Sequence, residues 1–192
     1  CLSPFIAIVT NIDEDHLSHY DHSMDKLKDA FVKFLNKVPV DGCAIVCIDD
    51  PNIADIIPRI TSPMMTFGFT DRADIQACSF TQKGMLSCFN LVNGMQSVDE
   101  MLCLPMPGQH NVSNALAAIS AVKQLGVFDI NNVRQRLCEF RGVERRCSLR
   151  ATLPYRGQDL LFIEDYGHHP HAVKSTWQAV QSAYPERRIV MV

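Results

Sequence analysis

The chain has 192 residues, a formal net charge of −3 and 47% hydrophobic residues. This length fits one domain or one and a half, and the composition is that of an ordinary globular protein. The small negative charge gives no reason to expect a nucleic acid or an anionic membrane as a partner. No signal segment and no run of about 18 apolar residues is present, so no membrane span is predicted.

The eight cysteines form no CxxC pair, and most lie within apolar runs such as "GCAIVCIDD". Free cysteines commonly behave as small buried hydrophobic residues, and disulfides are rare in the cytosol. We therefore expect reduced thiols in a cytoplasmic protein. The chain begins at Cys1, and its last residues, "RRIVMV", have the pattern of the beginning of a strand. We interpret it as a piece of a longer protein.

The first part of the chain alternates strand and helix patterns. Residues 5–12 and 43–50 are apolar, β-branched runs typical of strands buried on both faces, and 64–69 is a shorter run. Helices are predicted over 24–39 and, after an N-terminal proline, over 51–60. This β-α-β-α-β order favours a parallel sheet with right-handed crossovers.

After residue 72 the pattern changes. Short alternating runs separated by "KG" and "NG" turn signals predict an antiparallel meander over 73–105, attached to the parallel sheet. The Ala-rich segment 111–127, with Gly126 as its C-cap signal, predicts a helix, and 129–143 predicts another.

The pattern restarts near residue 143, where we place a domain boundary that gives domains 1–142 and 143–192. The second part predicts a hairpin leading into a strand over 159–165, then a helix over 171–185 and a strand in "RRIVMV". The expected fold class is α/β. A mostly parallel sheet flanked by helices, with a small antiparallel meander, is followed by the beginning of a second domain.

Acids and histidines follow the first predicted strand in "NIDEDHLSHY" (11–20). Ligands of α/β sheets bind at the carboxyl ends of strands, where Asn11, Asp13, Asp15 and His16 lie. Carboxylate and imidazole together can hold a divalent cation, and Mg²⁺ needs only one or two protein ligands. The alternative is a polar turn before the next helix.

A Pro-Gly turn leads into a helix in "PGQHNVSNALAAIS" (107–120). The free N–H groups of a helix start favour anions. Asn111 and Asn114 lie three residues apart and could both pair with the edge of a nucleobase. The alternative is an ordinary N-cap at Asn111 or Ser113.

Two further segments carry candidate functional residues. In "GVERRC", the guanidinium groups of Arg145 and Arg146 match phosphate oxygens, although most arginine pairs are merely solvated. In "LLFIEDYGHHPHAV" (160–173), a strand ends in two acids, and a Tyr-Gly-His-His-Pro turn opens a helix. Two consecutive histidines cannot both face a core, so we expect a functional role for this turn.

These four stretches, in this order, resemble the Mur ligase family, the ATP-dependent amino-acid ligases of peptidoglycan synthesis. The resemblance covers essentially the whole chain and implies a three-domain enzyme. Residues 1–142 would be most of the central ATP-binding domain, and residues 143–192 the beginning of a Rossmann-like C-terminal domain. The family's P-loop, of the GTHGKT type, is absent here, so we expect the chain to be inactive by itself.

The resemblance implies an ADP-forming amide ligase of the EC 6.3.2 class that uses ATP and Mg²⁺. The wording "DYGHHP" is similar to members that join L-alanine to the carboxylate of UDP-N-acetylmuramate through an acyl phosphate. Three alternatives stay open. They are a recycling ligase that adds a whole peptide, a folate-type polyglutamate ligase, and a nucleotide-binding module without activity.

The resemblance also assigns roles to individual residues. His16 and Asp15 would bind Mg²⁺, with Asn11 close by. The residues that would take part in catalysis are His16, Arg145, Arg146 and His168. Arg145 or Arg146 would reach the nucleotide, and Asp165 would hold the ribose or orient the closed domain. Other residues would line the adenine and amino-acid side of the site. They are His110, Asn111, Asn114, Tyr166, His168 and His169.

Overall fold

The computed structural model of the chain describes residues 3–15, 17–94 and 96–192, without the side chains of residues 96–100. Six strands form one sheet in the order in which they occur along the chain. They are β1 (Ile6–Val9), β2 (Cys43–Cys47), β3 (Met64–Gly68), β4 (Ile75–Lys83), β5 (Leu86–Asn93) and β6 (Gln96–Leu104). Strands β1 to β4 pair in parallel, and β4 to β6 pair antiparallel. The predicted parallel sheet with an attached meander is therefore confirmed.

Four helices accompany this sheet, at α1 (Met24–Leu35), α2 (Pro51–Ile56), α3 (Gln109–Gln124) and α4 (Ile130–Glu139). Local sequence explains where the first two begin. The Ser23 side chain accepts the backbone N–H of Lys26 before α1, and Asp50 accepts that of Ile53 before α2. The helix predictions are thus confirmed, with each helix shorter than its periodic segment.

Burial differs between the first two strands. All five residues of β2 are buried, as expected for a strand covered on both faces. Strand β1 is an outer strand of the described sheet, and its Ile8 is 42% exposed. The prediction that β1 is buried on both faces is therefore wrong, because only the face that carries Ala7 and Val9 is buried. An apolar run does not show whether a distant segment packs over the second face of a strand.

The core lies between this sheet and its helices. Its largest fully buried side chains come from every layer, and they include Phe67, Phe89, Leu35, Ile45, Ile53 and Leu116. Full burial of one such side chain stabilises a fold by roughly 1.5–3 kcal/mol relative to exposure. Packing in the core therefore fixes the positions of the strands and of the polar residues that follow them.

The last part of the chain forms a hairpin of β7 (Ser148–Tyr155) and β8 (Gln158–Glu164), followed by α5 (Pro170–Ala183). The turn residues Arg156 and Gly157 have φ values of 50° and 79°, as a tight two-residue hairpin requires. Residues 187–192 are not in a strand, which corrects the prediction for "RRIVMV". The physical reason is that the described β7–β8 ladder supplies them with no pairing strand.

Two of the cysteines also correct the sequence-based expectation of reduced thiols. Cys88 on β5 and Cys103 on β6 lie directly opposite each other, with Cα atoms 4.2 Å apart, and form a disulfide. The expectation overlooked strand register, which alone decides whether two distant cysteines face each other. The free thiols among the described residues are Cys43, Cys47, Cys78, Cys138 and Cys147.

Within the described part of the chain, no helix has the length and apolar character needed to cross a bilayer. The expectation of no membrane span rests on the same property of the sequence.

Candidate active site

A cleft of about 930 Å³ lies where the turn after β1, the helices α3 and α4 and the beginning of α5 meet. This volume is within the range of pockets that bind small ligands and cofactors. All four sequence stretches with predicted functional residues contribute polar or charged side chains to the cleft, and these are Asn11, Asp13, Asp15, His110, Asn111, Asn114, Arg146, Asp165, His169 and His171. The other polar and charged residues of the lining are Thr10, Arg136, Ser175 and Thr176.

The turn after β1 carries the oxygen donors of the cleft. Asp13 Oδ1 accepts the backbone N–H of Glu14 at 2.8 Å, and its carbonyl accepts that of Asp15 at 2.7 Å. This tight turn places the carboxylates of Asp13 and Asp15 beside Asn11 in the cleft wall. Such oxygens suit Mg²⁺. His16 lies outside the described residues, so its assignment as a magnesium ligand stays a prediction.

The turn is anchored from α2. Asn52 Nδ2 donates to the carbonyl of Ile12 at 2.8 Å, and Ile12 itself is buried. Sequence analysis missed this contact because Asn52 lies about forty residues further along the chain. The acidic turn is thus fixed to the body of the domain and is not a freely solvated loop.

The beginning of α3 depends on Gly108, which precedes the helix with a φ of 95°. A Cβ atom at Gly108 would lie 2.9 Å from the Cβ of Ala179, so only glycine fits. The N–H of Gly108 donates to Gln82 Oε1 at 2.9 Å, and Gln82 Nε2 donates to the carbonyl of Ala179 at 3.0 Å. Gln82 on β4 therefore joins the beginning of α3 to α5.

The two asparagines of α3 have different surroundings. Asn111 is buried, and its Nδ2 donates to the carbonyl of Pro107 at 2.7 Å. Asn114 is exposed in the cleft. Neither Asn111 nor Ser113 is the N-cap, because Gly108 holds that position and no side chain caps the helix. The capping alternative is therefore wrong, and Asn114 is the better placed of the two asparagines to meet a ligand.

His110 is a partly buried imidazole in the cleft wall. Burial lowers its pKa, the negative charge of Asp165 opposes this shift, and the positive charge of Arg146 adds to it. The neutral imidazole is therefore favoured near pH 7.

The two arginines of "GVERRC" point to different places. Arg145 Nε lies 3.3 Å from Glu164 Oε1, and its guanidinium stacks 4.6 Å from the centre of the Tyr166 ring. Arg146 instead lines the cleft. The sequence left both arginines open as nucleotide ligands, and the geometry favours Arg146.

Asp165 ties the junction before β7 to the turn after β8. Its Oδ2 accepts the backbone N–H of Cys147 at 2.8 Å, and its Oδ1 accepts that of Gly167 at 2.6 Å. A second link runs from the N–H of Tyr166 to the carbonyl of Arg145 at 2.8 Å. Burial, with the added effect of Asp165, raises the pKa of the Cys147 thiol to about 11. Asp165 therefore shapes the cleft through the backbone.

Tyr166 and His168 lie on the outer side of this turn. Tyr166 is 53% exposed, and the Nδ1 atom of His168 lies 3.2 Å from its carbonyl oxygen. Among the described residues, the predicted positions that do not line the cleft are Arg145, Tyr166 and His168.

His171 and Arg136 line the cleft but were missed as site residues. His171 follows the turn in "HHPH", and its Nδ1 lies 2.7 Å from Asp13 Oδ2. The sequence feature that could have pointed to His171 is that it is the third histidine at the beginning of one helix. Arg136 lies on α4, and nothing in that helix's amphipathic pattern distinguishes it from a solvated arginine.

Comparison with known proteins places the chain in a family. Residues 1–122 match the model of the Mur ligase middle domain. The chain belongs to the Mur ligase family. The family resemblance and the α/β fold class inferred from sequence are thereby confirmed.

Individual Mur ligases match this chain over nearly all its length. It is 41% identical, over all 192 residues, to the UDP-N-acetylmuramate–L-alanine ligase of Methylococcus capsulatus, and covers 40% of that protein. Among solved structures, MurF from Acinetobacter baumannii matches with a TM-score of 0.79 and 25% identity, over 94% of this chain and 38% of that one. The UDP-N-acetylmuramate–alanine ligase MurC from Thermotoga maritima matches with a TM-score of 0.76 and 26% identity, over 96% of this chain and 40% of that one.

The chain therefore spans about two-fifths of the length of the Mur ligases that it matches. The matched middle domain ends within α3. The boundary near residue 143 stays a prediction.

Proposed function

We propose that this chain is most of the central ATP-binding domain, together with the beginning of the C-terminal domain, of a ligase that joins L-alanine to the carboxylate of UDP-N-acetylmuramate, with release of ADP and phosphate. The observation that carries the proposal is the convergence on one cleft of residues from all four family-like stretches. The 41% identity to a UDP-N-acetylmuramate–L-alanine ligase over the whole chain supports the choice of substrates.

The cleft residues fit a magnesium nucleotide. Asp15 and Asn11 supply oxygen donors of the kind that Mg²⁺ binds, and Arg146 supplies a fork that matches phosphate oxygens. Mg²⁺ and ATP, when bound, supply charge neutralisation and the phosphoryl group of the reaction. His16 completes this assignment as a proposed metal ligand.

The adenine side of the proposed nucleotide site is built by α3. Asn114 is exposed in the cleft and can both donate to and accept from the edge of a nucleobase. Asn111 holds the first turn of α3 through the Pro107 carbonyl, and the neutral His110 lies beside it. Apolar side chains of α3, of α4 and of the residue that follows α4 also line the cleft, and they include Ile119, Leu137 and Phe140.

The turn after β8 serves the other substrates in this proposal. Asp165 fixes the turn, and its neighbour His169 lines the cleft. Tyr166 and His168 stand exposed beside the cleft, where they would meet the amino acid when the C-terminal domain closes. Arg145 stacks on Tyr166 and would position that ring.

The proposal places the protein in the cytoplasm, where ATP is available. The disulfide between Cys88 and Cys103 is unusual for that compartment. Alkylating free thiols in intact cells before lysis, and then counting the labelled cysteines of the purified protein, therefore tests the redox compartment separately from the activity.

The experiment that tests the function uses the complete protein that contains this chain. ATP, Mg²⁺ and UDP-N-acetylmuramate are supplied, and phosphate release is measured with each amino acid in turn. We expect release with L-alanine alone. Release only with a preformed peptide would replace the proposal by a recycling ligase, and a folded protein that releases no phosphate with any acceptor would be a non-catalytic module.

A further inference from the structure

Asp13, His169 and His171 bring three ligand atoms together at the mouth of the cleft. The Nδ1 atoms of His169 and His171 lie 3.3 Å and 2.7 Å from the same oxygen, Asp13 Oδ2. All three ligand atoms lie within 4.8 Å of one another. Asp13 belongs to the turn after β1, and both histidines belong to the beginning of α5.

We propose that these three residues form a binding site for a transition-metal dication of the zinc class, separate from the magnesium site of the proposed reaction. Zinc is bound by imidazole nitrogen and carboxylate oxygen at about 2.0–2.2 Å, often by three protein ligands and one water. Tetrahedral ligands at such distances lie about 3.3 Å apart. The His169–Asp13 distance already has this value, and the His171–Asp13 distance needs only a small outward shift.

Ligand chemistry selects the metal. Two imidazoles and one carboxylate suit zinc, nickel or cobalt, whereas Mg²⁺ prefers oxygen ligands. The magnesium assignment rests on Asp15 and His16, so the two sites share no ligand. Because His171 is 72% exposed in its side chain, a metal can enter from solvent.

Hydrogen bonds can hold the three side chains together when no metal is bound. A proton on each Nδ1 lets both imidazoles donate to Asp13 Oδ2. A metal ion takes the position of these protons, because each neutral imidazole can carry its single proton on Nε2 and offer the lone pair of Nδ1 as a ligand. For a neutral imidazole this is a tautomer shift, so metal binding at the two histidines releases no net proton.

Occupation of the site has a mechanical consequence. The ligands come from parts of the chain separated by 158 residues, as counted from Asp13 to His171. A bound zinc ion would hold the turn after β1 against the beginning of α5, and both segments line the same cleft. Bound zinc would therefore restrict relative movement of these two segments at the opening of the cleft.

The test titrates Zn²⁺ into the complete protein by calorimetry, with millimolar Mg²⁺ present to occupy the oxygen sites and no nucleotide added. It does not depend on the proposed activity. We expect one zinc site per protein molecule. H171Q and D13N should each weaken that site at least tenfold, whereas H22Q, at an exposed histidine outside the cleft lining, should not change it.

Circular dichroism of each variant confirms that it is folded before titration. A cobalt titration provides a second readout, because a tetrahedral site gives a strong visible absorption that H171Q should abolish. Absence of zinc binding by the unaltered protein would overturn the proposal. Equal zinc affinity in folded H171Q, folded D13N and the unaltered protein would also overturn it.

Discussion

The carboxylate of Asp165 accepts the backbone N–H of Cys147 at 2.8 Å, across a separation of 18 residues. This hydrogen bond fastens the junction between the two parts of the chain to the turn that follows β8. Since Arg146 immediately precedes Cys147, the same contact helps to fix where Arg146 lies in the cleft. The site is thus positioned through backbone groups as much as through side chains.

The first prediction concerns Asp165. Replacing it by alanine removes the acceptor of two backbone N–H groups, those of Cys147 and Gly167. A lost acceptor for a partly buried donor costs about 1–3 kcal/mol. We expect Asp165→Ala to lower the thermal midpoint of the complete protein by several degrees, as measured by calorimetry.

Asp165→Asn is the matched control, because one carbonyl oxygen can replace only one of the two carboxylate oxygens. Its midpoint should lie between those of Asp165→Ala and the unaltered protein. Identical midpoints in all three proteins would show that the junction is held by other contacts.

The second prediction separates the two arginines. Arg146 lines the cleft, whereas Arg145 stacks on Tyr166 and pairs with Glu164. A hydrogen bond to a charged group is worth about 1.5–3 kcal/mol, so Arg146→Ala should raise the KM for ATP roughly 10- to 100-fold. Arg145→Ala should change this KM much less. Steady-state kinetics at saturating UDP-N-acetylmuramate measure both, and the opposite order would reverse the assignment.

The third prediction separates Asn111 from Asn114. Asn111→Ala removes a buried hydrogen bond to the Pro107 carbonyl and should destabilise the protein by about 1–2 kcal/mol. Asn114→Ala removes only an exposed side chain of the cleft, so it should raise the KM for ATP without lowering the thermal midpoint. An unchanged KM in Asn114→Ala would remove Asn114 from the adenine assignment.

The fourth prediction concerns pH. Burial lowers the pKa of His110 in the folded protein below the ordinary value of 6.5. The unfolded chain therefore binds more protons than the folded one between these two pKa values, and stability falls as pH decreases through about 6.5. The contribution of His110 is fully present above this pH and stops changing below the folded pKa.

His110→Gln should remove this contribution. We expect the difference in unfolding free energy between pH 7.5 and pH 5.5, measured with urea, to be smaller in His110→Gln than in the unaltered protein. Equal differences would mean that the imidazole is as solvated in the folded protein as in the unfolded chain.

The fifth prediction concerns the thiols. Because Cys88 and Cys103 are paired, reduction before denaturation should expose two more reactive thiols than denaturation alone. In the native protein at pH 8, exposed Cys138 should react quickly with a thiol reagent, and Cys147, buried and with its pKa raised to about 11, should react slowly. Equal thiol counts with and without reduction would contradict the pairing, and mass spectrometry of the labelled peptides identifies each cysteine.

Most of the fold could be predicted from the sequence, because hydrophobic period and turn residues act locally. The apolar run of β2 and the "KG" turn before β5 each specify one element without reference to distant residues. The errors arose where a distant neighbour decides the outcome. Ile8 lies on a face of β1 that is not fully covered, and residues 187–192 lack a pairing strand among those described.

The same division holds for the site. The order of the four stretches indicated which segments meet, since carboxyl ends of strands and starts of helices gather at one edge of such a fold. Sequence could not separate Arg145 from Arg146, because the backbone at Arg145 has a φ of 59° that turns the two side chains apart. It also could not pair Asp13 with His171, which depends on how α5 packs against the turn after β1.

The central claim is tested most directly by competition in a single reaction. The complete protein is given ATP, Mg²⁺ and UDP-N-acetylmuramate together with equal concentrations of L-alanine and a murein tripeptide, and the mass of the conjugated product is measured. The account predicts a product heavier than the nucleotide sugar by one alanine residue. A product that carries the whole tripeptide, or no conjugate from a folded protein, would contradict it.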